Sequence, residues 1–251
     1  MTRLRVVLID VDGCLTPGEA KPWDFDVLRF VAELNQRAHS GAAPFAVTLC
    51  TGRQQPYVEA MMQAIDGYLP ALYENGAGLY FPQPYRFLEH PAFTLALRAQ
   101  RAEIKSILQR ELVERELAIL QPGKEINLTL YPARTALTLD EIAARARGAL
   151  GSALGDFSLY ASVSSVEILP PGIDKGAGAE WLAREIDIPL SEFGGIGDAP
   201  ADLTFLKRVA HSAAPANATP DVKANVHDVS SFPDARGVQD ILRRWLGAET
   251  H

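Results

Sequence analysis

Only two cysteines, Cys14 and Cys50, occur in the 251 residues. That is too few for a disulfide framework or a structural zinc site. Long hydrophobic runs are missing too. The first apolar segment, Leu4–Ile9, is broken by Arg5 and halts at Asp10. It is too short to span a bilayer, and no leader cleavage site follows it, so a cytoplasmic protein without a membrane partner is expected. Basic charge is in deficit, with 24 Lys and Arg against 31 Asp and Glu and a net charge of −7. A general nucleic-acid surface is therefore not expected, although a local basic pocket for an anion remains compatible. Walker A, GxGxxG and GxSxG motifs are absent, and His39, His90, His211, His227 and His251 show no zinc-ligand spacing. Asp10 does not open an EF-hand, because the sixth position counted from it is Leu15 where that loop needs glycine.

What is present begins with a strand–helix rhythm. Leu4–Ile9 and Phe45–Cys50 read as short parallel strands buried on both faces. Helices are expected from Asp24 to about His39 and over Tyr57–Ile65, the latter after Pro56. The rhythm breaks after Tyr73-Glu74-Asn75-Gly76-Ala77, and residues 81–91, with three prolines, read as a linker. A helix from about Thr94 to Leu117 follows, then strands at Ala118–Gln121 and Ile126–Tyr131. A helix over Leu139–Leu150 opens on a capping box of Thr138 and Glu141, and Phe157–Ala161 reads as a strand. The first rhythm resumes at Val166–Leu169 and runs to a helix at Gly237–Leu246. The fold class expected is α/β, a doubly wound parallel-sheet core of residues 1–84 and 165–251, interrupted by a small α+β domain of residues 85–164.

Four polar sites fall at strand ends or helix starts on one edge of that core, where open parallel sheets bind ligands. They are Asp10 with Asp12, Thr51 with Arg53, Lys175, and Asp198 with Asp202. Singly, each reads equally well as a turn, a cap or a solvated lysine. Together they describe a site. Two carboxylates about 4 Å apart repel by about 4 kcal/mol at an effective dielectric near 20, so a cation is expected among them. Mg²⁺ suits a few carboxylates plus a substrate phosphate. The set also suits phosphoryl transfer: Asp10 attacks phosphorus, Lys175 and Thr51 hold the phosphate oxygens, and Asp12 exchanges protons with the leaving alcohol and the incoming water.

The stretches DVDGCLT, CTGRQ, GIDKGAG and GDAPAD, in this order, resemble the four motifs of the haloacid dehalogenase superfamily of phosphatases. The interval between Thr51 and Lys175 resembles the sugar-phosphatase branch, whose α+β cap lies between the second and third motifs. YENGA and SAAPANAT also look like that branch. The resemblance implies a Rossmann-like core with a cap domain and a Mg²⁺-dependent phosphomonoester hydrolase working through an aspartyl-phosphate. It implies a small phosphorylated metabolite as substrate, of the sugar phosphate, phosphoglycolate or phosphoglycerate type. It implies Asp10 as nucleophile and Asp12 as acid and base. Mg²⁺ would lie on the Asp10 carboxylate, the Asp12 backbone carbonyl and Asp198, with Asp202 nearby. Thr51, Gly52, Arg53, Asn75 and Lys175 would meet phosphate or substrate. Two residues depart from the branch, Cys14 where Thr is usual and Ala201 where Asn is usual. The alternatives are a phosphotransferase or phosphomutase, and a catalytically weak metabolite-binding protein. Arg53, Arg86, Lys124 and Arg134 are candidates for substrate carboxylate or hydroxyl groups. Cys14 and Cys50 each flank a motif and are expected near one another, with a redox pair set against two buried thiols.

Overall fold

The computed structural model describes residues 3–133 and 137–248. Arg134, one of the candidate substrate contacts, lies outside the described residues. The chain divides into two compact units, one of Met1–Leu88 with Asp174–His251, the other of Glu89–Ile173.

In the first unit, β1 (Val6–Ile9), β2 (Ala46–Leu49), β10 (Phe193–Ile196), β11 (His211–Ala214) and β12 (Asp228–Val229) form one sheet. Its order is β12-β11-β10-β1-β2 and every neighbouring pair is parallel. All four residues of β1 are buried because helices cover both faces. Successive strand residues point to opposite faces. Val7 and Ile9 accordingly join a core with α1 (Phe25–His39), α2 (Gln55–Ala64) and α8 (Asp234–Ala248). Val6 and Leu8 join the other core, with α5 (Lys175–Glu185), α6 (Leu203–Leu206) and α7 (Pro220–Ala224). The doubly wound core expected from the sequence is thus what forms. β1 sits between β10 and β2, whose helices lie on opposite faces, so the chain leaving β1 at Asp10 opens onto a topological switch point.

Cys14 packs in the first core and Cys50 in the second, both as free, buried thiols, and each has Asp10, Asp202 and Lys175 among its charged neighbours.

Residues 81–91 are not a linker. β3 (Ala71–Tyr73), β4 (Gly78–Phe81) and β5 (Arg86–Glu89) form a three-stranded sheet. An aromatic cluster that the prolines obscure supports the β4–β5 turn: Tyr80 stacks on Phe87 at 5.4 Å, and Tyr85 meets both edge-on.

The second unit packs α3 (Leu95–Leu108) and α4 (Leu139–Leu150) on one face of an antiparallel sheet. The sheet joins β6 (Ala118–Leu120), β7 (Leu128–Pro132), β9 (Val166–Leu169) and β8 (Ser158–Ala161), in that order. The capping box at the head of α4 forms, the Thr138 hydroxyl accepting from the Glu141 amide at 3.3 Å. β9 is the strand that a reading in sequence order gives to the core. Its residues Val166 and Ile168 pair with Leu130 and Leu128 and share their apolar cluster, so the unit boundary falls at 173/174 rather than 164/165. The intervening residues Thr129 and Glu167 carry a polar ladder, in which the Thr129 hydroxyl donates to Glu167 at 2.9 Å and Lys124 pairs with Glu167 at 3.6 Å. That pairing is where the structure places Lys124. Arg86 stacks on Phe81, its guanidinium carbon 4.0 Å from the ring centroid.

Candidate active site

The chain emerges from β1 with Asp10 buried at 6% exposure. Its backbone N–H still donates to Ile196 at 2.9 Å, which holds the residue at the sheet edge. Lys175 reaches it from the first turn of α5. Asp174 caps that helix, its side chain accepting from the Ala177 amide at 2.8 Å. Two glycines bring the helix in close: a Cβ on Gly178 would lie 2.5 Å from the Cα of Gly76, so only bare backbone fits there. Lys175 Nζ then lies 2.9 Å from Asp10 Oδ1 and 2.5 Å from Asp202 Oδ1.

Asp202 is fully buried, and its other oxygen accepts from the backbone amides of Asp198 and Ala199, each at 2.9 Å. It ties the lysine to the turn that presents Asp198. The Thr204 hydroxyl accepts from the Gly176 amide at 3.0 Å and donates to the Ala201 carbonyl at 2.9 Å, joining that turn to the head of α5.

Carboxylate oxygens of Asp10, Asp198 and Asp202 lie within 4.8 Å of one another. Three carboxylates share one lysine, and burial makes the excess charge costly. Burial pushes Asp10 up to about 7; Lys175 opposes the shift, while Asp202 and Asp12 add to it. Burial, then Asp202 and Asp10, pushes Asp198 up to about 8. Although burial acts to lower it, Asp10 and Asp202 hold Lys175 well above the ordinary lysine value. An all-oxygen, net-negative cluster of this size fits a hard divalent cation.

Asp12 does not join the cluster through its carboxylate. The chain turns after Ile9, and Asp12 forms a two-toothed ion pair with Arg53: Nε donates to Oδ2 and an Nη to Oδ1, both at 2.6 Å. The Thr16 hydroxyl donates to Oδ1 at 3.3 Å. The repulsion expected between Asp10 and Asp12 is thus met by a cation for each, Lys175 and Arg53. If Asp12 contributes to a metal, its backbone carbonyl is the group left to do so. Arg53, expected on phosphate or substrate, engages a carboxylate of the protein itself.

The loop after β2 supplies the remaining expected groups. Thr51 is buried, and its hydroxyl accepts from the Arg53 amide at 3.2 Å, leaving its proton for an acceptor above the loop. The Asn75 amide donates to the Thr51 carbonyl at 2.9 Å, and Asn75 takes a left-handed backbone (φ 57°, ψ 38°). A Cβ on Gly52 would meet the Asn75 side-chain oxygen at 3.0 Å. Thr51, Gly52 and Asn75 are therefore one packed corner.

Sequence reasoning passed over several supporting groups. Asn217 donates to the Gly13 carbonyl at 2.8 Å and accepts from the Asp234 amide at 2.7 Å, pinning the loop after β1. The Thr219 amide donates to the Asp198 carbonyl at 2.9 Å. Cys14 points its Sγ to Asp198 Oδ1 at 3.7 Å, a weak donor in the place of the usual hydroxyl. Burial and Asp198 push its pKa well up, so it is a thiol. SAAPANAT carried the only signal for Asn217 and Thr219.

Among known proteins, a phosphoglycolate phosphatase of Methanothermobacter thermautotrophicus is 24% identical over 245 residues, covering 97% of this chain and 100% of that one. A solved structure from Thermoplasma acidophilum superposes with a TM-score of 0.74 at 18% identity, covering 96% of this chain and 98% of the other. The sucrose-phosphatase of Synechocystis sp., solved with sucrose and phosphate, gives 0.69 at 15% identity with 98% of each chain covered. These structural likenesses bear on fold. The family model of the haloacid dehalogenase-like hydrolases matches residues 112–242, more than half of the chain. Sequence, sheet topology and that match agree, and the chain belongs to the haloacid dehalogenase-like hydrolases.

Proposed function

We propose that the chain hydrolyses phosphate monoesters of a small metabolite through a phosphorylated Asp10. The observation that carries this reading is the junction of Asp10, Lys175 and Asp198 at the end of β1. There a buried carboxylate has one oxygen gripped by a buried ammonium and a second carboxylate within 4.8 Å. The relatives, a phosphoglycolate phosphatase and a sucrose-phosphatase, support small phosphorylated metabolites as the substrate class.

In the first half-reaction an Asp10 oxygen forms a bond to phosphorus while the ester P–O bond breaks. The leaving oxygen keeps that electron pair and takes a proton from Asp12, which enters this step as the carboxylic acid, one oxygen released from Arg53, and leaves it as the carboxylate. In the second, Asp12 takes a proton from water as the water oxygen bonds phosphorus, and the P–O bond to Asp10 breaks to return the carboxylate. Lys175 and the Thr51 hydroxyl hold phosphate oxygens, where charge shifts in the transition state. Mg²⁺ is the cation we assign to Asp10, Asp198 and the Asp12 carbonyl, with Asp202 behind them. When bound it supplies positive charge to the phosphoryl group. Asp202 keeps Lys175 aimed.

The test is inorganic phosphate release from a panel of phosphorylated sugars, phosphoglycolate and phosphoglycerates, with Mg²⁺ and with EDTA. We expect release with Mg²⁺ and its loss in EDTA; no release from any ester counts against the hydrolase. Asp10→Asn is expected to abolish turnover with an unchanged circular-dichroism spectrum, and an active variant refutes the nucleophile.

A further inference from the structure

Arg53 occupies both oxygens of Asp12. Its Nε and an Nη donate to separate carboxylate oxygens, both at 2.6 Å. A two-toothed, charge-assisted contact of this kind holds Asp12 ionised and turned to the arginine. The pair is therefore a resting arrangement, because turnover needs Asp12 to present one oxygen to the leaving group. Asp12 has a second donor to keep when it does so, the Thr16 hydroxyl at 3.3 Å from Oδ1.

Arg53 is the less free of the two. Its guanidinium carbon lies 4.7 Å from the ring centroid of Tyr57, whose hydroxyl accepts from the indole N–H of Trp23 at 3.1 Å. Of its side chain 13% is exposed, against 26% for Asp12. Burial acts to lower its pKa, and of the neighbours that raise it Asp12 leads and Glu19 comes last, so Glu19 does not stand in for Asp12. A sheltered, permanently charged group left without its anion is costly. A new anion has to arrive as Asp12 turns away, and the substrate is the molecule that arrives.

We propose that Arg53 exchanges Asp12 for a carboxylate on the alcohol side of the substrate, and so selects phosphorylated hydroxy acids over phosphorylated neutral alcohols and sugars. The inference rests on the hydrolase reading above and narrows its substrate class. The leaving oxygen lies one hydrogen bond from Asp12, and Arg53 one further, about 5 Å in all. A carboxylate one or two carbons from the leaving oxygen spans that gap. A hydroxyl in the same place carries no charge and a single oxygen, where the arginine fork matches two. The same exchange frees Asp12 when such a substrate binds.

Both sides of the exchange are open to test on the full chain with Mg²⁺. Two pairs of esters differ only by a carboxylate in place of a hydroxymethyl group: 2-phosphoglycolate with 2-hydroxyethyl phosphate, and 3-phosphoglycerate with glycerol 3-phosphate. In each pair kcat/KM is expected to favour the carboxylate by about 10- to 100-fold, the range of a charge-assisted hydrogen bond. Arg53→Met should bring both ratios to about one, and Arg53→Lys should keep part of the preference. Binding without turnover, read by isothermal titration calorimetry, uses 3-phosphonopropionate and 3-hydroxypropylphosphonate. Asp12→Asn removes the competing charge, so the carboxylated phosphonate should bind about tenfold tighter while the hydroxyl analogue changes little. Should Arg53→Met fail to fold, Arg53→Lys and Asp12→Asn decide the matter. No preference in the wild type, ratios unmoved by Arg53→Met, or a carboxylated phosphonate that binds Asp12→Asn no better each overturns the exchange and leaves the hydrolase reading intact. A wild-type chain inactive on every ester overturns the hydrolase reading instead, and the two phosphonates still decide what Arg53 binds.

Discussion

Asp10 and Asp12 stand two positions apart and are held by different cations. Lys175 takes the first and Arg53 the second, and one turn of backbone separates their tasks. The turn depends on Gly13, whose φ is +82° and whose Cβ, if present, would lie 2.2 Å from Asp198 Oδ2. Gly13→Ala is therefore expected to cost about 1–2 kcal/mol in urea unfolding from the backbone alone. It should also push Asp198 aside, so the rise in melting temperature on adding Mg²⁺ should shrink. A variant with wild-type stability and an unchanged Mg²⁺ response would show that the loop relaxes freely. At this scale much was legible in the sequence. Charged groups at strand ends announce themselves by type and spacing. The partner of each was not legible, because Arg53 and Asp12 are 41 positions apart and Lys175 and Asp10 are 165 apart, so pairing is a property of the folded sheet edge.

At the scale of elements, α1 shows what hydrophobic periodicity reads and what it overlooks. Val27, Leu28, Val31 and Leu34 mark its buried face. Asn35 lies on that face too, fully buried. Its Oδ1 accepts from the Val47 amide at 2.7 Å and its Nδ2 donates to the Ile65 carbonyl at 2.9 Å. It thereby covers a backbone donor of β2, the edge strand of the sheet, and ties the end of α2 to α1. Asn35→Ala leaves two buried backbone groups unpaired, and a loss of about 1–3 kcal/mol is expected in chemical denaturation. A loss below the error of extrapolation would mean water reaches both groups. The misassigned segments have the same origin. Val166–Leu169 looks like any buried strand, and only its partners Leu128 and Leu130 say which sheet it belongs to. Three prolines in residues 81–91 outweighed the aromatic residues that build β4 and β5.

At the scale of the whole molecule, the first unit gathers acidic groups from far along the chain into one buried cluster. Asp10 and Asp198 are pushed up to about 7 and about 8 from an ordinary value of 3.8. Between about pH 4 and 8 the folded chain holds protons that the unfolded chain has lost. Without a cation, these groups stabilise fully below their ordinary value, and that contribution is lost as pH rises through 7 to 8. In EDTA the melting temperature is expected to fall from pH 5 to pH 8.5, and to fall less for Asp198→Asn. Mg²⁺ should raise it more at pH 8.5, where the carboxylates are ionised and repel, than at pH 5. Equal shifts at both pH values, read by scanning calorimetry, would refute the link between proton and cation.

Among the described residues no helix is long and apolar enough to cross a membrane, in keeping with the broken first run of the sequence. The sequence by itself determined the α/β class, the four motifs in their order and the residues that carry charge at strand ends. Local periodicity and residue type suffice for these, because burial pattern and turn chemistry act over a few positions. The tertiary structure decided what depends on distance: that Asp12 belongs to Arg53, that Asp202 steadies Lys175, that the two thiols pack in different cores, and that β9 leaves the core. Those are facts of pairing, and a pair exists only once the sheet has brought its two ends together.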